Sequence, residues 1–175
     1  EIMSLGSVFA ASEMFVDTKT QAQAVVKIIA GRELGLSPIE SMTNIFFVNN
    51  RRALTSGIMA SLVKKSKKYD YQIKKLDNEE CVLEFFQIVE NKKELSGESV
   101  FTIKDAAKAG LVNKDNWKNY PKNCLFARAL SNGVKWFTPD AVCGYAVEEM
   151  EDIGPLAEPK PTVVSIDVDG EVKNG

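Results

Sequence analysis

The chain has 175 residues, 45% of them hydrophobic and 26% charged, with a formal net charge of −2; these proportions suit a soluble globular protein with one core and a tail. No apolar run approaches the length of a membrane span, and the first residues lack a basic-then-apolar secretory pattern. Histidine is absent, which removes the commonest general base, proton shuttle and metal ligand and weighs against an enzyme. In chain order, Thr18 followed by Gln21 reads as a capping box opening a helix that carries Val25, Ile28 and Ile29 and ends at Gly35. Ser37, Pro38 and Glu40 supply an N-cap, a first-turn proline and a second capping box for a short helix. Ile45–Val48 and Arg51–Leu54 predict a hairpin about Asn49-Asn50, since Asn tolerates positive φ.

Thr55 or Ser56 then caps a helix running to about Ser66, with Ile58, Met59, Leu62 and Val63 inward and Lys64, Lys65, Lys67 and Lys68 crowding its end. The alternation from Tyr69 to Lys74, together with Cys81–Val89 and Ser99–Ile103, predicts three strands in an antiparallel meander, with turns near Asp77-Asn78 and Asn91-Lys92-Lys93. Thr102, Asp105 and Gly110 bracket a further short helix. The order is N-terminal helices, β-hairpin, helix, three-stranded meander and C-terminal helix, an α+β arrangement. Residues 1–150 are expected to form a single domain, and 151–175 an acidic, proline-bearing C-terminal tail in which Thr162–Val168 alone has strand-like composition. The chain opens on Glu1 rather than Met, consistent with a natural start further upstream.

Charge is unevenly spread. Residues 51–135 hold seventeen Lys and Arg against ten Asp and Glu, while residues 148–175 hold eight acids against two lysines. A body of that kind can hold a polyanion despite an unremarkable overall charge. Cys81, Cys124 and Cys143 are odd in number and lack metal-ligand spacing, which fits a reducing cytosol and no bound metal or cofactor.

The stretch Trp117–Asp140 is the richest in chemistry. Pro121 suits the first turn of a helix that must end before Pro139. At 3.6 residues per turn, Leu125, Arg128, Asn132 and Lys135 share one side, and Phe126, Leu130, Val134 and Phe137 another that can be buried. Ala127, Ala129, Ser131 and Gly133 lie between the large residues and let another backbone approach. Lys118 and Lys122 flank Tyr120 just ahead of the helix, and Trp117 and Tyr120 could stack on bases. The plainer alternatives are a core helix whose cations face water, and a Trp117 that anchors the helix in the core. Arg51 and Arg52 could fork onto phosphates or stand as a solvated turn.

Four pieces in this order resemble one family: Gly31–Pro38, the Asn49–Leu54 hairpin, Phe101–Ala106 before Ala109-Gly110-Leu111, and Trp117–Asp140 followed by Ala141-Val142 and Gly144-Tyr145. They are similar to phage and prophage RecT-like single-strand annealing proteins, over roughly residues 20–150 and most strongly 101–150. The resemblance implies a non-catalytic, ATP-independent recombinase of the bacterial host cytosol that binds single-stranded DNA, pairs it with its complement and holds the nascent duplex. It further implies homo-oligomers in the form of rings or helical filaments, working beside a phage exonuclease and a host single-strand-binding protein. The basic groove of that family would correspond here to Arg51, Arg52, Lys118, Lys122, Arg128 and Lys135. This chain is shorter than many members, and its acidic end has no counterpart in the pattern. Two rivals stand beside that expectation. One is an enzyme using Asp140 with Glu148 or Glu149; the other is a phage assembly or regulatory adaptor that contacts protein through the hairpin and the acidic tail.

Overall fold

The computed structural model describes residues 1–48, 51–142 and 145–147. The hairpin turn Asn49-Asn50, the domain limit at 150 and the acidic tail with its Thr162–Val168 segment lie outside the described residues. The architecture mixes helix and strand: N-terminal helices, a two-stranded antiparallel hairpin, a three-stranded antiparallel sheet and a long C-terminal helix.

The N-terminal unit has one helix more than expected. In α1 (Ile2–Ala11), Ile2, Leu5 and Phe9 fall at helical spacing and pack with Phe15 on the buried Ala24, Ile28 and Met42. Gln21 locks the pair of helices, its Nε2 donating to Met3 O at 2.8 Å and Ser7 Oγ at 2.7 Å. The capping box of α2 (Gln21–Glu33) is Thr20 with Gln23, not Thr18 with Gln21. Thr18 is already committed to a turn, its amide donating to Phe15 O at 2.9 Å, so the helix starts two residues later. The helix ends where expected: Leu34 and Leu36 both return their amides to Gly31 O at 2.9 Å, around Gly35. Ser37 and Glu40 form the second box and open α3 (Pro38–Asn44). Lys27 is buried inside this unit, with Asp17 Oδ2 at 2.6 Å, Met42 O at 3.1 Å and the Phe46 ring at 5.0 Å. Its ammonium is therefore fully engaged, as a buried cation must be.

Strands β1 (Ile45–Val48) and β2 (Arg51–Leu54) pair antiparallel from Ile45↔Leu54 to Val48↔Arg51. Thr55 ends the hairpin and caps α4 (Ser56–Lys65), with its hydroxyl 2.8 Å from Asn44 Oδ1. The meander follows as β3 (Tyr69–Leu76), β4 (Glu80–Val89) and β5 (Lys92–Thr102). Its third strand starts at Lys92 rather than Ser99. Glu90 and Asn91 take φ of 48° and 62°, the mirror-image two-residue turn that matches strand twist. With that turn set, pairing propagates from Val89↔Lys92 through polar residues that carry no hydrophobic alternation. Thr102 and Asp105 cap α5 (Ile103–Lys108), after which come α6 (Asp115–Asn119) and α7 (Pro121–Phe137). A short β6 (Tyr145–Ala146) joins β2 in parallel, opposite Ala53 and Leu54.

The main core lies between the meander and α7, with α4 closing the helix's other flank. Alternate residues Cys81, Leu83 and Phe85 of β4 point inward and are wholly buried. The Phe85 ring lies 6.1 Å from that of Tyr71 and 5.6 Å from that of Phe137. It also occupies the space that a side chain at Gly133 would need, so only glycine lets α7 cross the sheet this closely.

Asp70 on β3 joins three elements. Its carboxylate accepts from Lys64 of α4, from Lys93 of β5 at 2.5 Å and from the Tyr71 amide at 2.8 Å. Burial pushes the Asp70 carboxyl up, but the hydrogen bonds from Lys64, Lys93 and Tyr71 outweigh it and hold it below its ordinary value.

Two outcomes are expected. Gly133→Ala should destabilise by roughly 1–3 kcal/mol in chemical denaturation, and in a Phe85→Leu background the same change should cost clearly less. Because the Asp70 carboxyl binds its proton less readily folded than unfolded, its stabilisation is complete above about pH 4 and is lost as pH falls through the lower folded value. Asp70→Asn should therefore lower stability at neutral pH and flatten the acid limb of the denaturation midpoint against pH.

Candidate nucleic-acid interface

The long helix is more enclosed than its pattern predicts. Leu125, Ala127, Ala129, Leu130, Ser131, Gly133 and Val134 are all buried, and Ser99 Oγ donates to Ala129 O at 2.7 Å, stitching α7 to β5. Leu125, expected to share the cationic side, is fully buried. The cause is the second covering layer: with the sheet on one flank and α4 on another, the apolar arc extends round to Leu125. What remains is a narrow stripe of half-buried Cys124, Arg128, Asn132 and Lys135. At 1.5 Å per residue it runs roughly 16 Å along the helix. Arg128 and Lys135 both interact with neighbouring groups, so their charges are set in local structure rather than dangling in water.

The α6–α7 junction sorts its aromatic residues sharply. Trp117 is only 4% exposed and its ring sits 6.2 Å from that of Phe101. It is a core anchor and is closed to stacking on a base, which corrects one of the two roles its sequence left open. The reason is local: α6 is a five-residue helix whose only buried side chain is Trp117, so docking that ring is what holds the helix to the body. Tyr120 is the opposite case. It is 64% exposed, in the residue that links α6 to α7.

The cations divide in the same way. Many in the body are spoken for: Lys64, Lys65, Lys68, Lys74, Lys75 and Lys93 each lie within 4.0 Å of a carboxylate. Lys118 and Lys122 are exposed and form no ion pair among the described residues. In the hairpin, Arg51 is exposed, whereas Arg52 is half-buried and directs Nη1 to Glu33 Oε2 at 3.2 Å and Ala30 O at 3.5 Å. Arg52 is thus a strut between the hairpin and α2. Glu33 is itself well exposed, so in water that pair is weak and exchangeable. Both arginines belong to the small sheet, and β6 ties that sheet to the chain following α7.

Asp140, the acid on which the enzyme reading rests, is a tether. It accepts from Tyr69 Oη at 2.5 Å and Lys68 Nζ at 3.0 Å, and these bonds, that from Tyr69 first, keep its carboxyl below the usual range. The partners of that reading, Glu148 and Glu149, lie outside the described residues. Among the described residues no group of three or more His, Cys, Asp or Glu is placed to hold a metal ion, and no helix is long and apolar enough to cross a membrane.

A groove of about 560 Å³ opens at the junction, between β3, the start of α4 and the α6–α7 corner. Ile73, Leu76 and Phe126 supply apolar surface, Tyr120 a flat ring, and Asn116 and Asn123 amides; Ser56 and Cys124 complete the lining. Sequence reasoning singled out Tyr120 and missed the amides. The available signal was the recurrence of asparagine at 116, 119 and 123 around an aromatic. Cys124 sits in this lining and also begins the Arg128 stripe, one helical turn on, so groove and stripe are continuous along α7.

In comparisons with known proteins, no family model, no curated protein and no solved structure matches this chain.

Proposed function

We propose that this protein binds single-stranded DNA and anneals complementary strands without nucleotide hydrolysis, in the manner of the RecT-like single-strand annealing proteins its sequence resembles. The observation that carries this reading is the sorting of charge. While Lys74, Lys75 and Lys93 of the meander are neutralised by neighbouring carboxylates, Lys118 and Lys122 stand open on either side of an exposed Tyr120, and from there Arg128, Asn132 and Lys135 follow in line along α7. Open cations beside an exposed aromatic are the chemistry of sequence-tolerant strand binding: lysines for phosphates, a ring for a base.

Annealing breaks no bond, so it calls for no nucleophile, metal or general base. It calls for phosphate neutralisation that leaves Watson–Crick edges accessible. Repetition of such contacts along a strand is naturally met by a homo-oligomer, as a ring or a helical filament. A phage exonuclease that exposes the strands, and a host single-strand-binding protein that otherwise coats them, would be its working partners in a bacterial cytosol.

The test is binding and annealing of complementary oligonucleotides without ATP across a salt series. With about five phosphates neutralised, log affinity should fall with log salt at a slope near −3.5, and Lys118→Ala with Lys122→Ala should reduce its magnitude by about 1.4. Thermal stability should be unchanged, because both side chains are exposed and form no ion pair among the described residues. Absence of strand binding, or binding indifferent to salt, would favour the protein-contacting adaptor.

A further inference from the structure

We infer that the groove at the α6–α7 corner is a slot for one unstacked nucleobase, with Tyr120 as its stacking surface and Asn116 and Asn123 as its readers of the base edge. This rests on the proposed single-strand binding and adds to it a contact with a base. The lining has the composition such a ligand needs: apolar surface from Ile73, Leu76 and Phe126, one exposed ring, and amides able to donate and accept in the plane of a heterocycle. Asn116 is held in place, its Oδ1 accepting from the Trp117 amide at 3.0 Å, which leaves its Nδ2 donors for a ligand. Ile73 is 51% exposed and Tyr120 64%, so the groove presents apolar surface that folding left uncovered.

Charge selects the occupant. The lining contains no carboxylate, and exposed Lys118 and Lys122 lie within two residues of Tyr120 in the chain. An apolar peptide would satisfy the floor and leave the amides and lysines idle. A base with its phosphates engages all three kinds of group. An aromatic face accepts any base, so the slot would hold strands with little sequence preference. Holding one base out of the stack would also kink the strand at each subunit and leave the neighbouring bases turned outward for a complement.

The experiment compares a dT oligonucleotide with an abasic strand of equal length, using the full chain. Tyr120→Ala should weaken binding of the dT strand roughly 5- to 150-fold while leaving abasic binding unchanged, and Tyr120→Phe should retain dT binding. A second readout does not depend on substituting the ring. Maleimide should modify Cys124, half-buried in the groove lining, in preference to the buried Cys81, whose thiol burial pushes up to about 11. The dT strand should slow modification of Cys124 at least several-fold, and the abasic strand should not. Normal dT affinity in Tyr120→Ala, or equal protection by both strands, would overturn the slot while leaving strand binding intact. If neither strand binds, or an apolar peptide protects Cys124 where DNA does not, the slot is overturned together with the strand-binding reading.

Discussion

The close crossing of α7 over the meander, where the Phe85 ring takes the space a side chain at Gly133 would fill, is the constraint on which the rest of the structure depends. It sets how deeply the helix sits in the sheet, and so how much of its circumference is buried. With α4 closing the other flank, only one narrow arc is left to carry polar chemistry. The position of Arg128, Asn132 and Lys135 is therefore a consequence of core packing, and so is that of the α6–α7 corner from which the helix departs. Trp117 repeats the principle on a smaller scale: one buried ring fixes a five-residue helix that could not persist alone, and thereby presents Tyr120 to solvent.

Electrostatics then separates stability from function. On the solvent face of the meander, Lys74 reaches Glu84 and Glu98 on neighbouring strands, and Lys75 reaches Asp77 and Glu80. These are largely exposed pairs, individually worth little, and they remove much of the positive charge that the sequence assigns to this region. Asp70, Lys64 and Lys93 do similar work at a half-buried joint between α4 and the sheet. The surplus cation density that survives this pairing includes the α6–α7 corner, where the groove also opens.

Most of the local signals in the chain match the structure. The Ser37/Glu40 and Thr102/Asp105 boxes, the Gly35 stop and both hairpin strands depend on side chains within a few residues of one another, and of the two cap candidates Thr55 and Ser56 the structure uses Thr55. The α2 cap was misplaced by two residues because Thr18 and Thr20 are equally good cap residues, and only the Phe15–Thr18 turn decides between them. Polar Lys92–Gly97 gave no strand signal because its pairing is imposed by the turn at Glu90-Asn91 and by the strand opposite. Two-residue β6 has no pattern of its own and exists only because β2 offers an open edge. Within the site, the exposure of Tyr120 and burial of Trp117 were indistinguishable in sequence, since both are aromatics beside lysines. The groove was invisible for a different reason: Ile73, Asn116 and Phe126 come together only through the tertiary fold.

The central claim is that single strands are gripped at the α6–α7 corner and along the half-buried polar stripe of α7. The most direct measurement is photocrosslinking of a bromodeoxyuridine-substituted oligonucleotide to the intact protein, followed by mapping of the modified peptides. The account predicts crosslinks confined chiefly to residues 116–135, with Tyr120 foremost. Crosslinks concentrated on the charge-paired face of the meander, or on the N-terminal helices with none in that span, would contradict it.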